Sequence, residues 1–258
     1  MDYTKLVDTA ILAGKIMLES NAESYRVEDT MIRILKISNL ETTEALAITT
    51  GLIATLDDPS IVAITTSRRI TTRDTNLNNI AKVNTICRNL TAGNSNLPDA
   101  YIALQNIKEE QFKPFTKDLA ITLLTAFFAL LLGGGLIDIL ASWINGVVLV
   151  LVRKVDNKIE MGYFIRNVIS ATLIAIITAF MHKYLFINVN SDVVITSSIM
   201  PLVPGTAITN AFRDTLRGDY MSGGAKALES VLIALSIAVG VAIGLILTGG
   251  GFFWFCKY

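Results

Sequence analysis

Two prolines three residues apart, Pro201 and Pro204, interrupt an apolar stretch of this 258-residue chain, and Gly205 follows them. Proline lacks an N–H and its ring crowds the carbonyl four residues back. A helix through 193–212 would lose its hydrogen bonds to the carbonyls of Ser197 and Met200. In hydrocarbon such carbonyls must find partners or line a cavity, and broken helices at mid-membrane are a recurring ligand-binding device. The chemistry on offer is capture of an ammonium group or a coupling cation. The alternative is a simple kink satisfied by Ser197 or Ser198. Asn145, in another apolar stretch, needs a partner for its amide and meets either a ligand or a neighbouring helix. Asn210, Arg213 and Asp214 complete a candidate substrate-binding or gating set with Ser197, Pro201, Pro204, Gly205 and Asn145. Arg213 is the residue type that grips a carboxylate in bidentate fashion, although a solvated basic loop explains it equally.

Asp138, just after a Gly-Gly-Gly run, is a candidate proton or cation relay, or else a helix-capping carboxylate. Glu229 is a second relay candidate. It is expected to open the fifth span, where it would pair with Arg213 or Arg217 or favour the helix N-terminus by its charge. Near the N-terminus, Glu23, Arg26, Glu28, Asp29 and Arg33 lie on one predicted helix. Glu23 and Arg26 are three apart and Asp29 and Arg33 four apart, so both pairs can bridge on a helix surface. They form either a solvated face or a docking surface. Arg68, Arg69 and Arg73 make a small basic cluster, read as surface charge.

Much other chemistry is missing. There is no G-x-x-x-x-G-K-[ST] phosphate loop. The one histidine, His182, falls in a membrane-side loop, and no Cys/His cluster has metal-ligand spacing. Cys87 has no histidine near it in sequence to activate it, and Cys87 and Cys256 do not suggest a disulfide. No metal, cofactor or enzymatic activity is expected, and zero net charge with a pI near 6.6 argues against nucleic acid.

These residues need elements to hold them. Of the 44 charged residues, 26 fall in 1–115, which leaves the C-terminal part strongly apolar. The division predicts a head over 1–115 and a membrane bundle over 116–258. About 20 apolar residues cross a bilayer, and spans are expected near 117–134, 136–152, 163–182, 193–212 and 228–250. The loops at 153–160 and 213–226 carry Arg153, Lys154, Lys158, Arg213, Arg217 and Lys226, whereas the opposite side offers Lys183 and Lys257. Positive charge stays inside, so the head is expected in the cytosol and the C-terminus outside. Ala171, Ala175 and Ala179 in the third span, and Gly240 and Gly244 in the fifth, have the spacing that lets helices approach closely.

The head reads as helices near 2–20, 22–38, 76–92 and 97–111, the last capped near Asn96. Two strands are expected at 44–56 and 60–70 around Asp57–Ser60. The fold class is thus an α-helical membrane bundle of about five transmembrane helices preceded by a small α+β cytosolic domain.

Two stretches, NAESYRVEDTMIRI at 21–34 and PLVPGTAITNAFRDTLRGDYMSGGAKALES at 201–230, together with Asp138 after GGG, resemble the threonine/serine exporter family. The resemblance covers nearly the whole chain. It implies export of small polar metabolites (threonine, serine, or dicarboxylates such as succinate) across the plasma membrane. It also implies a small companion membrane subunit working with this larger, head-containing chain, and an oligomer is left open. The competing readings are a membrane-tethered enzyme using head carboxylates and a sensor or scaffold that transports nothing.

Overall fold

The computed structural model describes residues 1–107, 113–185 and 188–249. Cys256, Lys257 and the end of the helix expected at 97–111 lie outside them. The order of elements is α1 (Tyr3–Glu19), α2 (Ser24–Leu35), β1 (Thr42–Ile48), β2 (Gly51–Asp57), β3 (Ile64–Arg69), α3 (Leu77–Thr91), α4 (Leu97–Gln105), α5 (Pro114–Leu131), α6 (Leu136–Ile159), α7 (Tyr163–Phe180), α8 (Ser191–Ile199), α9 (Gly205–Leu216) and α10 (Tyr220–Leu247). They divide into two compact units. One comprises 1–110 and 205–229, the other 111–204 and 230–258.

In the first unit α1 is the central helix. Asp2 caps it, its side chain accepting the Lys5 N–H at 3.0 Å. Leu6, Val7, Ala10, Ala13, Met17 and Leu18 recur at helical spacing and are fully buried. Around it pack α2, α3, α4 and a three-stranded antiparallel sheet in the order β1-β2-β3. Asn76 and Asn96 cap α3 and α4, each accepting the N–H three residues on, at 3.1 and 2.9 Å. The cap at Asn96 is the one expected.

The sheet differs from expectation. The stretch 44–56 holds two strands, with Ile48 paired to Gly51 across a two-residue turn at Thr49 and Thr50. No Asn, Asp or Pro marks that turn, so the sequence reads as one long strand. The turn after β2 is where expected: Asp58 Oδ1 accepts the Ser60 N–H at 2.9 Å.

The second unit is built of long apolar helices. Four helices of the described chain are long and apolar enough to cross a membrane: α5, α6, α7 with its continuation to Leu185, and α10. The number rises to five if the bent pair Ser191–Leu202 and Gly205–Leu216 counts as one. Gly133, at φ +79°, turns the chain between α5 and α6 in a conformation that other residues rarely adopt. The expected loop at 153–160 is instead the last turns of α6. Asp156 steadies that end, accepting the Met161 N–H at 3.1 Å and pairing with Arg166 at 3.2 Å.

The small residues do what their spacing suggested. A Cβ added to Gly240 would lie 2.8 Å from the Ala171 Cβ, and one added to Gly244 would lie 2.6 Å from the Ala175 Cβ. Helices α7 and α10 therefore touch nearly backbone to backbone, and Thr172 Oγ1 donates to the Gly240 carbonyl at 3.0 Å.

Candidate functional site

The apolar bundle contains a buried polar patch. Asn145 on α6 is fully buried, as are Ser142 one turn before it, Thr178 on α7, and Ser197 and Ser198 on α8. The Asn145 Nδ2 donates to Thr178 Oγ1 at 2.9 Å and to Ser198 Oγ at 3.1 Å. Ser142 and Ser197 share a hydrogen bond at 2.8 Å. The Asn145 Oδ1 accepts from no donor among the described residues. An unpaired amide oxygen among apolar helices is costly, and it offers an acceptor to a group that brings its own N–H or O–H.

The helix carrying Ser197 and Ser198 ends where the prolines said it would. Residues Met200–Leu202 form a single 3-10 turn, Val203 is extended, and α9 starts at Gly205. The carbonyl of Met200 is not left bare, because the tightened turn lets the Val203 N–H reach it at 3.2 Å. Asp138 has both oxygens occupied by backbone donors. Oδ2 accepts the Gly135 N–H at 2.9 Å and Oδ1 the Asn190 N–H at 2.8 Å. That is the geometry of its capping alternative.

The head-containing unit holds a second cluster, and here the two motif-bearing stretches meet. Lys226 on α10 and Asp214 on α9 are 1% and 0% exposed, and their Nζ and Oδ2 are 2.7 Å apart. Ser24 Oγ donates to the same oxygen at 3.3 Å. Beside them the buried Glu23 carboxylate takes Arg213 on one oxygen at 2.5 Å and Arg26 on the other at 3.2 Å. Asn210 donates to the carbonyl of Asn21 at 2.9 Å, and the Arg217 guanidinium lies 3.7 Å from the centre of the Tyr25 ring. Asp214 Oδ1 and Asp219 Oδ2 accept from no described donor.

The electrostatics push the carboxyls of Glu23, just before α2, and Glu28, on α2, apart. Burial raises the Glu23 pKa, but its backbone hydrogen bond, the Arg213 bond and the charges of Arg26 and Arg213 outweigh burial and hold it below the ordinary value. Burial also raises that of Glu28. Its bond from the Ala47 N–H opposes this, while the charges of Asp219 and Asp214 add to it, and the net result is upward.

Several expectations change. Glu23 is buried rather than on a solvated face, although its pairing with Arg26 and that of Asp29 with Arg33 (2.8 Å) are as read. Glu229 does not open the last helix and does not meet Arg213 or Arg217. It is ten residues into α10 and pairs with Arg73 at 2.8 Å. The helix begins early because Gly223 lets it press against Ala211 and Thr215 of α9. Lys226, Ser24 and Thr178 were missed. The signals were present: Ser222, Lys226 and Ser230 are buried at four-residue spacing, and Thr178 extends the Ala171–Ala175 face.

The sequence model of the threonine/serine exporter (ThrE) family matches residues 8–248. The chain belongs to the threonine/serine exporter family. A "Probable threonine/serine exporter" of Mycobacterium tuberculosis is 23% identical over 93% of this chain and 46% of its own length. A "Probable succinate transporter subunit YjjP" of Klebsiella aerogenes is 22% identical over 90% of both chains. A "Threonine/serine exporter" of Corynebacterium glutamicum is 25% identical over 67% of this chain and 36% of its own. The chain thus spans about half the length of the first exporter relative and about a third of the other. No solved structure gives a significant match. Membership, with four to five apolar helices, makes this a multi-pass membrane protein.

Proposed function

We propose that this chain exports small polar metabolites, with an amino acid of the threonine/serine type or a dicarboxylate such as succinate as cargo. The observation that carries this reading is Asn145, a fully buried amide whose oxygen has no donor among the described residues, set in an apolar bundle beside a proline-broken helix. Cargo of either class brings donors for such an acceptor: an ammonium and a hydroxyl, or a protonated carboxyl. Ser197 and Asn145 line the patch. Pro201, Pro204 and Gly205 supply the break, and Asp138 holds the neighbouring helix ends.

In this reading the head is cytosolic and α+β, the bent pair is one of five spans, and the C-terminus is outside. Arg213 and Asp214 join α9 to the head through Glu23 and Lys226 and act in gating rather than in gripping cargo. A small companion membrane subunit of the same family completes the carrier. The name of the Klebsiella relative, a subunit that this chain covers almost end to end, supports that arrangement. The protein is no enzyme on this account.

The test is efflux from preloaded cells or liposomes, with and without the companion, over a panel of threonine, serine and succinate. Export of one class that requires this chain supports the proposal. Retention of every cargo, with both chains present and folded, refutes it.

A further inference from the structure

Helices α2 and α3 enclose a groove of about 170 Å³ that the export reading does not use. Arg26, Asp29, Thr30 and Arg33 line it from α2, and Asn84, Cys87 and Arg88 from α3. The spacings are those of one helix face on each side. Three guanidiniums and one carboxylate line the groove. Arg33 is paired with Asp29. The Arg88 guanidinium has no hydrogen bond or ion pair among the described residues. Arg26 shares Glu23 with Arg213, so one carboxylate serves two cations and part of the Arg26 charge is unmatched. Asn84 and Thr30 add neutral polar groups.

We propose that this groove binds a small dianion, either a dicarboxylate or a phosphate. Planar guanidiniums approaching from two helices suit the paired oxygens of either group, and Arg88 with the partly matched Arg26 supplies the positive charge. The volume suits a metabolite rather than a nucleotide. The Cys87 thiol does not oppose an anion, because burial pushes its pKa up and keeps it neutral. The ligand would draw on Arg26 and leave Glu23 to Arg213 alone. Occupancy of the groove is thereby felt at α9 through a single shared carboxylate. The site stands independently of the export reading, since its chemistry is confined to α2 and α3.

The experiment is calorimetry on the purified full chain in detergent, at fixed ionic strength, with inorganic phosphate and succinate as probes and acetate as the monoanion control. Saturable binding of phosphate, succinate or both, at least tenfold tighter than acetate, is expected. Arg88→Ala and Arg33→Ala, both at exposed positions, should each weaken it about tenfold or more. Arg69→Ala, outside the groove, should leave it unchanged. Phosphate alone or succinate alone identifies the source of the dianion. No saturable binding, equal binding of acetate, or binding indifferent to both groove substitutions overturns the proposal.

Discussion

In the head-containing unit, Lys226 and Asp214 bury opposite charges against each other. In the apolar bundle, Asn145 buries a neutral amide whose oxygen has no donor among the described residues. Both regions leave acceptors bare, but their surroundings differ. In the first unit the bare oxygens belong to carboxylates, and Asp214 is held by Lys226 through its other oxygen. The bundle offers mainly apolar surface, and on the proposed reading the bare oxygen of Asn145 meets a group that arrives with the cargo. Their means of cohesion differ too. Charge pairs tie α9 and the start of α10 to α2, whereas glycine and alanine bring α7 and α10 together. On the proposed reading the charged cluster ties and gates, and the neutral patch takes the cargo.

The sharpest way to break this comparison is to remove one partner of the buried pair. Lys226→Met leaves Asp214 uncompensated and should cost about 3–5 kcal/mol of stability, whereas the double variant Lys226→Met/Asp214→Leu should recover most of it. Denaturant unfolding of the purified protein measures both. Equal loss in single and double variants would mean that the site needs its charges for more than pairing.

Next comes the small-residue contact. Gly244→Leu must push against Ala175 and the Thr172 carbonyl, and should cost about 1–3 kcal/mol. It should leave the Glu23–Arg213 region intact, which limited proteolysis can check. Smaller still is the effect of Asn145→Ala on stability, because interhelical hydrogen bonds in bilayers average about 0.6 kcal/mol and rarely exceed about 1.7. A loss far above that range in thermal unfolding would make Asn145 a structural residue.

The smallest effect separates the carboxyls of Glu23 and Glu28. The folded-state pKa of Glu23 lies below the ordinary 4.5, so its contribution is present at neutral pH and is lost as pH falls through that lowered value. The folded-state pKa of Glu28 lies above 4.5, so its ionisation weakens the fold progressively as pH rises from 4.5 through the raised value. Glu28→Gln should match the natural protein below pH 4.5 and exceed it above. Glu23→Gln should be the weaker protein at neutral pH, with the gap closing under acid. Stability measured against pH for both variants decides the signs.

The apolar helices were legible because hydropathy marks them directly, and the break at Met200–Val203 was legible because two prolines force it. The hairpin at Thr49 and Thr50 was not, because no residue there demands a turn. The start of α10 was hidden because glycines in YMSGGAK suggest a loop, and the close approach of Gly223 to α9 is a tertiary contact that local sequence does not show. Asn145 was singled out as a buried amide in need of a partner, and it has two. The pairing of Glu23 with Arg213 spans 190 residues, and no local pattern encodes such a contact. Glu229 was misassigned for the same reason, since its partner Arg73 is 156 residues away.

Efflux by Asn145→Ala tests the division of labour most directly. With the companion present and cargo preloaded into liposomes, this variant should fold, unfold within a few degrees of the natural protein, and lose at least tenfold in export rate. Undiminished export by a well-folded Asn145→Ala protein would contradict the account and move the cargo site elsewhere.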